Sequence, residues 1–266
     1  DPGFIAFAKG MKAFVYLYLL NPLNSFLTHI PWWYTMTVFV IIGYFTVGLR
    51  FATITALLLA FIGATGMWMH SMITLSSVLV SVLICFVIGV PLGIIASYNK
   101  WYREIQNVVL DAMQTLPYFC YLIPVLMFFG GNIVSAVIAT VIYSVPPIIR
   151  LTALGLSQVS GSYSEVSKSF GGTGIQTLNK VKFPLAVPSL VMGFNQTVIM
   201  AFAMQIVTPL IGGKGLGLQV FNALQRSDTG RGLSAGLAIV LLAIIIDRIS
   251  HAWTKKQRIA LGLDNN

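Results

Sequence analysis

Between Arg50 and Lys100 the chain carries no Asp, Glu, Lys or Arg. Met72 to Ala96, inside that interval, exceeds the ~20 apolar residues that an α-helix needs to cross a bilayer core. A backbone in hydrocarbon must pair its own N–H and C=O groups, and within one segment only a helix does so. Only 9% of the 266 residues are charged and 57% are hydrophobic, whereas soluble domains carry about 25% charged residues. The chain is therefore read as a polytopic, all-α membrane protein.

Proline, glycine and charge divide it into about seven spans. Residues 1–30 stand apart. Lys9 and Lys12 interrupt the apolar run over 4–20, Asn21-Pro22 ends it, and an interfacial amphipathic helix is expected. The spans are then Trp32 to Leu49, Phe51 to Met69, Met72 to Ala96, Leu116 to Gly130, Ile133 to Arg150, Ala186 to Ile211 and Leu233 to Trp253. Pro91 predicts a kink in the third. Pro117, Pro124, Pro146 and Pro147 predict bends in the fourth and fifth, whose freed backbone must be buried in protein or line a wet cavity. Gly212 to Gly232 reads as a glycine-rich polar connection. With no Met at position 1, further residues are expected before Asp1.

The net charge of +9 does not point to nucleic acid, because the basic residues are scattered over span ends. With Glu165 inside and seven spans, the N-terminus lies outside and the C-terminus in the cytoplasm. Arg50, Lys100, Arg103, Arg150, Lys168, Lys180, Lys182, Arg248, Lys255, Lys256 and Arg258 then fall inside. Lys9, Lys12, Lys214, Arg226 and Arg231 fall outside. Eleven against five, of sixteen in all, is the asymmetry that orients membrane proteins. Trp32, Trp33 and Trp68 at outer ends, with Trp101 and Trp253 at inner ends, form the expected aromatic belts.

The chemistry the chain lacks narrows the reading. No phosphate loop of the G-x-x-x-x-G-K-[ST] type is present; Gly212 to Gly217 has the wrong spacing. His29, His70 and His251 are isolated, so no metal site is expected. Cys85 and Cys120 lie in apolar segments and read as packing residues. Asp111 and Asp247 fall near inner span ends, and no carboxylate lies at mid-membrane, where ion-coupled carriers commonly hold one. The amides Asn195 and Gln196 either hydrogen-bond between helices or line a path. Tyr118, Phe119 and Tyr121 either pack or hold a methylated ammonium by cation–π attraction.

The longest polar interval between strongly apolar segments is Glu165 to Pro184, within a loop over 160–185. Its glycines and small residues predict a short helix, a tight turn and a second short helix stopped by Pro184. In register it resembles the EAA loop of ATP-binding-cassette importer permeases: Glu-Ala-Ala, three residues, Gly, nine residues, then Ile-x-Leu-Pro. Glu165-Val166-Ser167 stands at the triplet, Gly171 at the glycine, and Val181, Phe183 and Pro184 at the end. Val166 and Ser167 replace both alanines. Leu110 to Pro117, Tyr121 to Pro124, Pro146 to Thr152, Asn195 to Thr197 and Leu242 to Arg248 resemble, more narrowly, the glycine betaine/proline-type quaternary-amine permeases.

The resemblance implies a type I importer transmembrane domain over 31–266 in a bacterial inner membrane. Its implied partners are a second permease copy, two cytoplasmic ATPase subunits that bind ATP and Mg, and an extracytoplasmic binding protein. No cofactor and no catalysis are expected in this chain itself. Glu165, Val166, Ser167, Phe170 and Gly171 would couple to the ATPase, with Gly171 at the turn and Phe170 in an ATPase pocket. Gln114, Tyr118, Tyr121, Asn195 and Gln196 would line the path. The implied cargo is glycine betaine, proline betaine, choline, carnitine or trimethylamine N-oxide. An amino-acid importer, an ion-coupled secondary transporter and a non-transporting membrane anchor remain as alternatives, as does a binding domain fused beyond Asn266.

Overall fold

The computed structural model describes residues 2–260. Asp1, residues 261–266 and the side chains of Trp253, Lys255, Lys256 and Arg258, on which part of the orientation rests, lie outside the described residues. The described residues are helical apart from short turns and connections, without a strand. In order the helices are α1 (Pro2–Phe14), α2 (Asn21–His29), α3 (Trp32–Thr46), α4 (Leu49–Ala64), α5 (Trp68–Tyr98), α6 (Lys100–Thr115) and α7 (Phe119–Phe129). There follow α8 (Ile133–Ser144), α9 (Pro146–Gln158), α10 (Gly161–Ser169), α11 (Gly174–Thr177), α12 (Phe183–Met204), α13 (Leu216–Arg226) and α14 (Thr229–Ala260).

Four runs are long and apolar enough to cross a membrane: Trp68–Tyr98, Ile133–Gln158, Gly174–Met204 and Thr229–Ala252. The number is six if each of two bent pairs is one span. Ala8–His29 meets Trp32–Thr46 at 103°, and Lys100–Thr115 meets Phe119–Phe129 at 99°. Both bends follow from proline. Pro31 and Pro117 force the preceding Ile30 and Leu116 into extended backbone, with ψ of 136° and 131°. Leu49–Ala64, at 16 residues, falls short of the ~20 that cross unaided.

Several boundaries differ from expectation. Asn21-Pro22 does not end the first run. A π-helical turn, Val15–Leu20, joins α1 to α2, and Pro22 sits in the first turn of α2, where its missing N–H costs little. Pro184 likewise does not stop a helix. The π turn Leu178–Lys182 lies just before it, and the chain runs on from Gly174 to Met204. Pro146 and Pro147 sit in the first turn of α9, which α8 enters within one 26-residue run. The sixth span ends at Met204, not Ile211, and a 3₁₀ turn, Thr208–Ile211, follows. The supposed connection over 212–232 holds α13.

One core joins α4, α5, α12 and α14 through Leu59, Met72, Leu75, Val78, Phe202 and Leu242. A second joins α5, α9 and α12 through Cys85, Val90, Ile148, Ile149, Leu156 and Leu190. There the α5 and α9 backbones approach so closely that a Cβ on Gly93 would lie 2.7 Å from the Ile149 carbonyl. Val15 and Leu20 of the N-terminal segment pack with Val80, Val134 and Val137, and Lys12 Nζ donates to the Phe129 carbonyl at 3.1 Å. Cys85 is buried, whereas Cys120 is exposed on α7.

The bundle has two chemically distinct ends. At one, Arg103 donates to the Ala96 and Ser97 carbonyls that end α5. There too Arg150 pairs with Asp111 at 2.6 Å, and Lys182 lies 4.9 Å above the Tyr98 ring. At the other, Arg231 Nε donates to Gln219 Oε1 at 2.9 Å, and Gln219 Nε2 meets His70 Nδ1 at 3.3 Å. His70, expected to be isolated, is thereby part of a clamp tying α13 to α5.

Candidate functional site

The polar hairpin α10–α11 projects from the end that carries Arg103 and Lys182. Ser160 caps α10, accepting from the Ser162 N–H. The helix closes by a Schellman arrangement: Gly172 N–H donates to the Ser167 carbonyl and Gly171 N–H to the Lys168 carbonyl, both at 2.9 Å. That closure needs a left-handed residue, and Gly171 supplies it at φ +77°. Thr173 and Gln176 then exchange side-chain and backbone hydrogen bonds in a capping box that opens α11. Ser167 Oγ and Thr177 Oγ1 lie 2.8 Å apart and join the two helices.

The outward surface of this hairpin is apolar. Phe170 is 88% exposed and Ile175 73%, with Tyr163 and Val166 more than half exposed. Tyr163, Val166 and Phe170 border a cavity of about 470 Å³ that Ser167, Gly172, Gln176, Lys180 and Val181 also line. Glu165 is exposed. Apolar side chains clustered at the tip of a polar hairpin are of the kind found at protein–protein contact surfaces. Tyr163 and Ile175 belong to this surface beside the expected Val166 and Phe170. The spacing of Tyr163, Val166 and Phe170, at i, i+3 and i+7, was the available signal.

The expected path residues are distributed over three elements. Gln114 is exposed near the end of α6. Tyr118 is 42% exposed at the start of α7; Tyr121 is buried, and its hydroxyl donates to the Met113 carbonyl. Tyr143 of α8 meets both tyrosines, with centroids 6.2 Å from Tyr118 and 6.1 Å from Tyr121. Asn195 and Gln196 are not brought together. Asn195 is buried inside the bundle and neither amide atom has a hydrogen-bond partner there, whereas Gln196 is exposed. Gln205, also buried, donates to Thr140 Oγ1 at 3.3 Å.

Residues 89–259, more than half of the chain, match the family described as binding-protein-dependent transport system inner membrane component. The chain belongs to this permease family. It is 41% identical over 241 residues to the glycine betaine/proline betaine transport system permease protein ProW of Escherichia coli, covering 91% of this chain and 68% of the relative. It is 39% identical over 257 residues to the glycine betaine transport system permease protein OpuAB of Bacillus subtilis, covering 96% and 89%. The trimethylamine N-oxide transport system permease protein TmoV of Ruegeria pomeroyi is 32% identical over 97% of this chain, which spans only 39% of that relative.

A solved inward-facing structure of the MetNI methionine ABC transporter superposes with a TM-score of 0.57 at 23% identity, over 72% of this chain and 93% of that one. The fold is thus the type I importer permease fold that the Glu165–Pro184 register implied. Among the described residues of the permease, no three His, Cys, Asp or Glu side chains gather as a metal cage.

Proposed function

We propose that this permease forms the membrane path of an ATP-driven importer for a methylated amine. The cargo class is glycine betaine, proline betaine, choline, carnitine or trimethylamine N-oxide. In the assembly, two permease copies pair with two ATPase subunits that hold ATP and Mg, and with an extracytoplasmic binding protein. The α10–α11 hairpin faces the cytoplasm, with the C-terminus inside and, with Leu49–Ala64 as a seventh crossing beside the six runs, the N-terminus outside. The observation that carries this reading is the exposed apolar tip of a polar hairpin, in a chain about 40% identical to two betaine permeases.

The mechanism follows from how the hairpin is tied. Closure of the ATPases displaces α10. The Schellman turn and the Ser167–Thr177 hydrogen bond make α10 and α11 move together. Because α11 runs without a break into Gly174–Met204, that displacement reaches Asn195 inside the bundle and Gln205, the residue that follows the run. An unpartnered buried amide is costly, by about 1–3 kcal/mol per group. Asn195 therefore gains more than an apolar residue from a state in which the path opens and offers a partner.

The test is ATP hydrolysis by the complete transporter in lipid, with binding protein, with and without glycine betaine or trimethylamine N-oxide. Stimulation by either is expected. Robust hydrolysis that no methylated amine changes overturns the cargo. Failure to co-purify with any ATPase overturns the coupling surface.

A further inference from the structure

We infer that Tyr143, together with Tyr118 and Tyr121, forms a transit site that holds the methylated ammonium group part-way through the bundle. The inference rests on the cargo class proposed above and assigns a residue, Tyr143, that the sequence does not single out.

The three rings meet edge to face and form a corner. The Tyr118 and Tyr143 rings are nearly perpendicular, at 87°, with centroids 6.2 Å apart. The Tyr121 ring is inclined 61° to Tyr143 at 6.1 Å. A cation placed in the angle of such an edge-to-face pair, over one face of each ring, lies within about 6 Å of both centroids, the range in which ring faces attract it. The floor is fixed, because Tyr121 is buried and its hydroxyl is held by the Met113 carbonyl at the end of α6. The mouth is Tyr118, which is 42% exposed. The 99° bend at Pro117 turns these first residues of α7 toward α8.

Depth and charge fit a transit site. Tyr143 lies near the middle of the 26-residue run Ile133–Gln158. Pro146 and Pro147 offer no N–H to the carbonyls four residues earlier, those of Ile142 and Tyr143, so two carbonyl dipoles are released beside the corner. No Asp or Glu occurs between Asp111 and Glu165. A quaternary ammonium cannot donate a hydrogen bond, so ring faces and carbonyl dipoles suit it. A carboxylate would favour alkali ions and primary amines, and would release its cargo slowly. Passage requires a site strong enough to enter and weak enough to leave.

The test uses the whole transporter in proteoliposomes at saturating binding protein, with glycine betaine and dimethylglycine as probes. Tyr143→Leu is expected to lower glycine betaine moved per ATP about tenfold and to erase the preference for it over dimethylglycine. Tyr143→Phe, which keeps the ring face, should stay within about twofold of wild type. Tyr118→Leu alters an exposed ring, places no demand on folding, and should repeat the loss. Equal transport by both Leu variants and wild type overturns the site. So does a Tyr143→Phe loss as deep as that of Tyr143→Leu, or a fall in both probes that leaves the preference intact, which marks a packing cluster. If wild type moves no methylated amine, the functional reading fails first and the site with it.

Discussion

Ser167 and Thr177 lie hydroxyl to hydroxyl at 2.8 Å across the turn that separates α10 from α11. Ser167 occupies a position where alanine is usual in the loop it resembles, and Thr177 also donates to the Thr173 carbonyl at 3.0 Å. Here a polar contact supplements the packing of small residues. Thr177→Val keeps the shape and removes the bond, worth about 1 kcal/mol net. Amide hydrogen exchange over 161–169 should accelerate about fivefold, with no change in the α12 core. Unchanged exchange would show that the Schellman turn alone holds α10.

Gly171 is the conformational pivot of the hairpin. At φ +77° it sits where proline, fixed near −65°, has no access, and where its N–H already donates to Lys168. Gly171→Pro should abolish uptake while the permease still inserts at normal abundance, because nothing else packs at this position. Transport assays paired with quantification of membrane-inserted protein check this. Normal uptake in the variant would remove the hairpin from the coupling path.

Phe170 is 88% exposed and holds no part of the fold in place. Phe170→Asp should therefore leave the thermal midpoint of the isolated permease within about a degree, in keeping with surface substitutions of ±0.5 kcal/mol. ATPase binding should weaken by tenfold or more, as for a central aromatic anchor. Co-purification across a titration of ATPase subunit, together with thermal unfolding of the permease alone, separates the two effects.

Gln219 joins His70 to Arg231 from a buried position. Arg231 donates to Oε1, so the amide presents its NH₂ to His70 Nδ1, and the ring accepts. Gln219→Leu removes both hydrogen bonds, leaving half-buried His70 without its donor while exposed Arg231 turns to water, and should destabilise the protein by about 1 kcal/mol. Gln219→Glu keeps an acceptor for Arg231 and should cost less. Thermal unfolding in one detergent ranks the two, and the reverse order would mean that the His70 contact, not the Arg231 contact, is the important one.

Much of this protein was fixed by its sequence. The charge-free interval from Arg50 to Lys100 required membrane helices, because hydrocarbon offers no partner for an open backbone. The register from Glu165 to Pro184 identified the importer loop, and Gly171 announced its turn, because a left-handed residue is a local requirement that one position can satisfy. The outcome at proline was not local. Pro31 and Pro117 turn the chain by about 100°, while Pro91, Pro146 and Pro184 lie within runs that continue, Pro146 and Pro184 in first turns of helices where the proline ring fits. The tertiary structure also decided which polar groups meet. Asn195 and Gln196 are adjacent in the chain, yet one is buried and the other exposed, because a helix turns successive residues about 100° apart. Tyr143 meets Tyr118 and Tyr121, and His70 meets Gln219, because helices distant in sequence pack side by side.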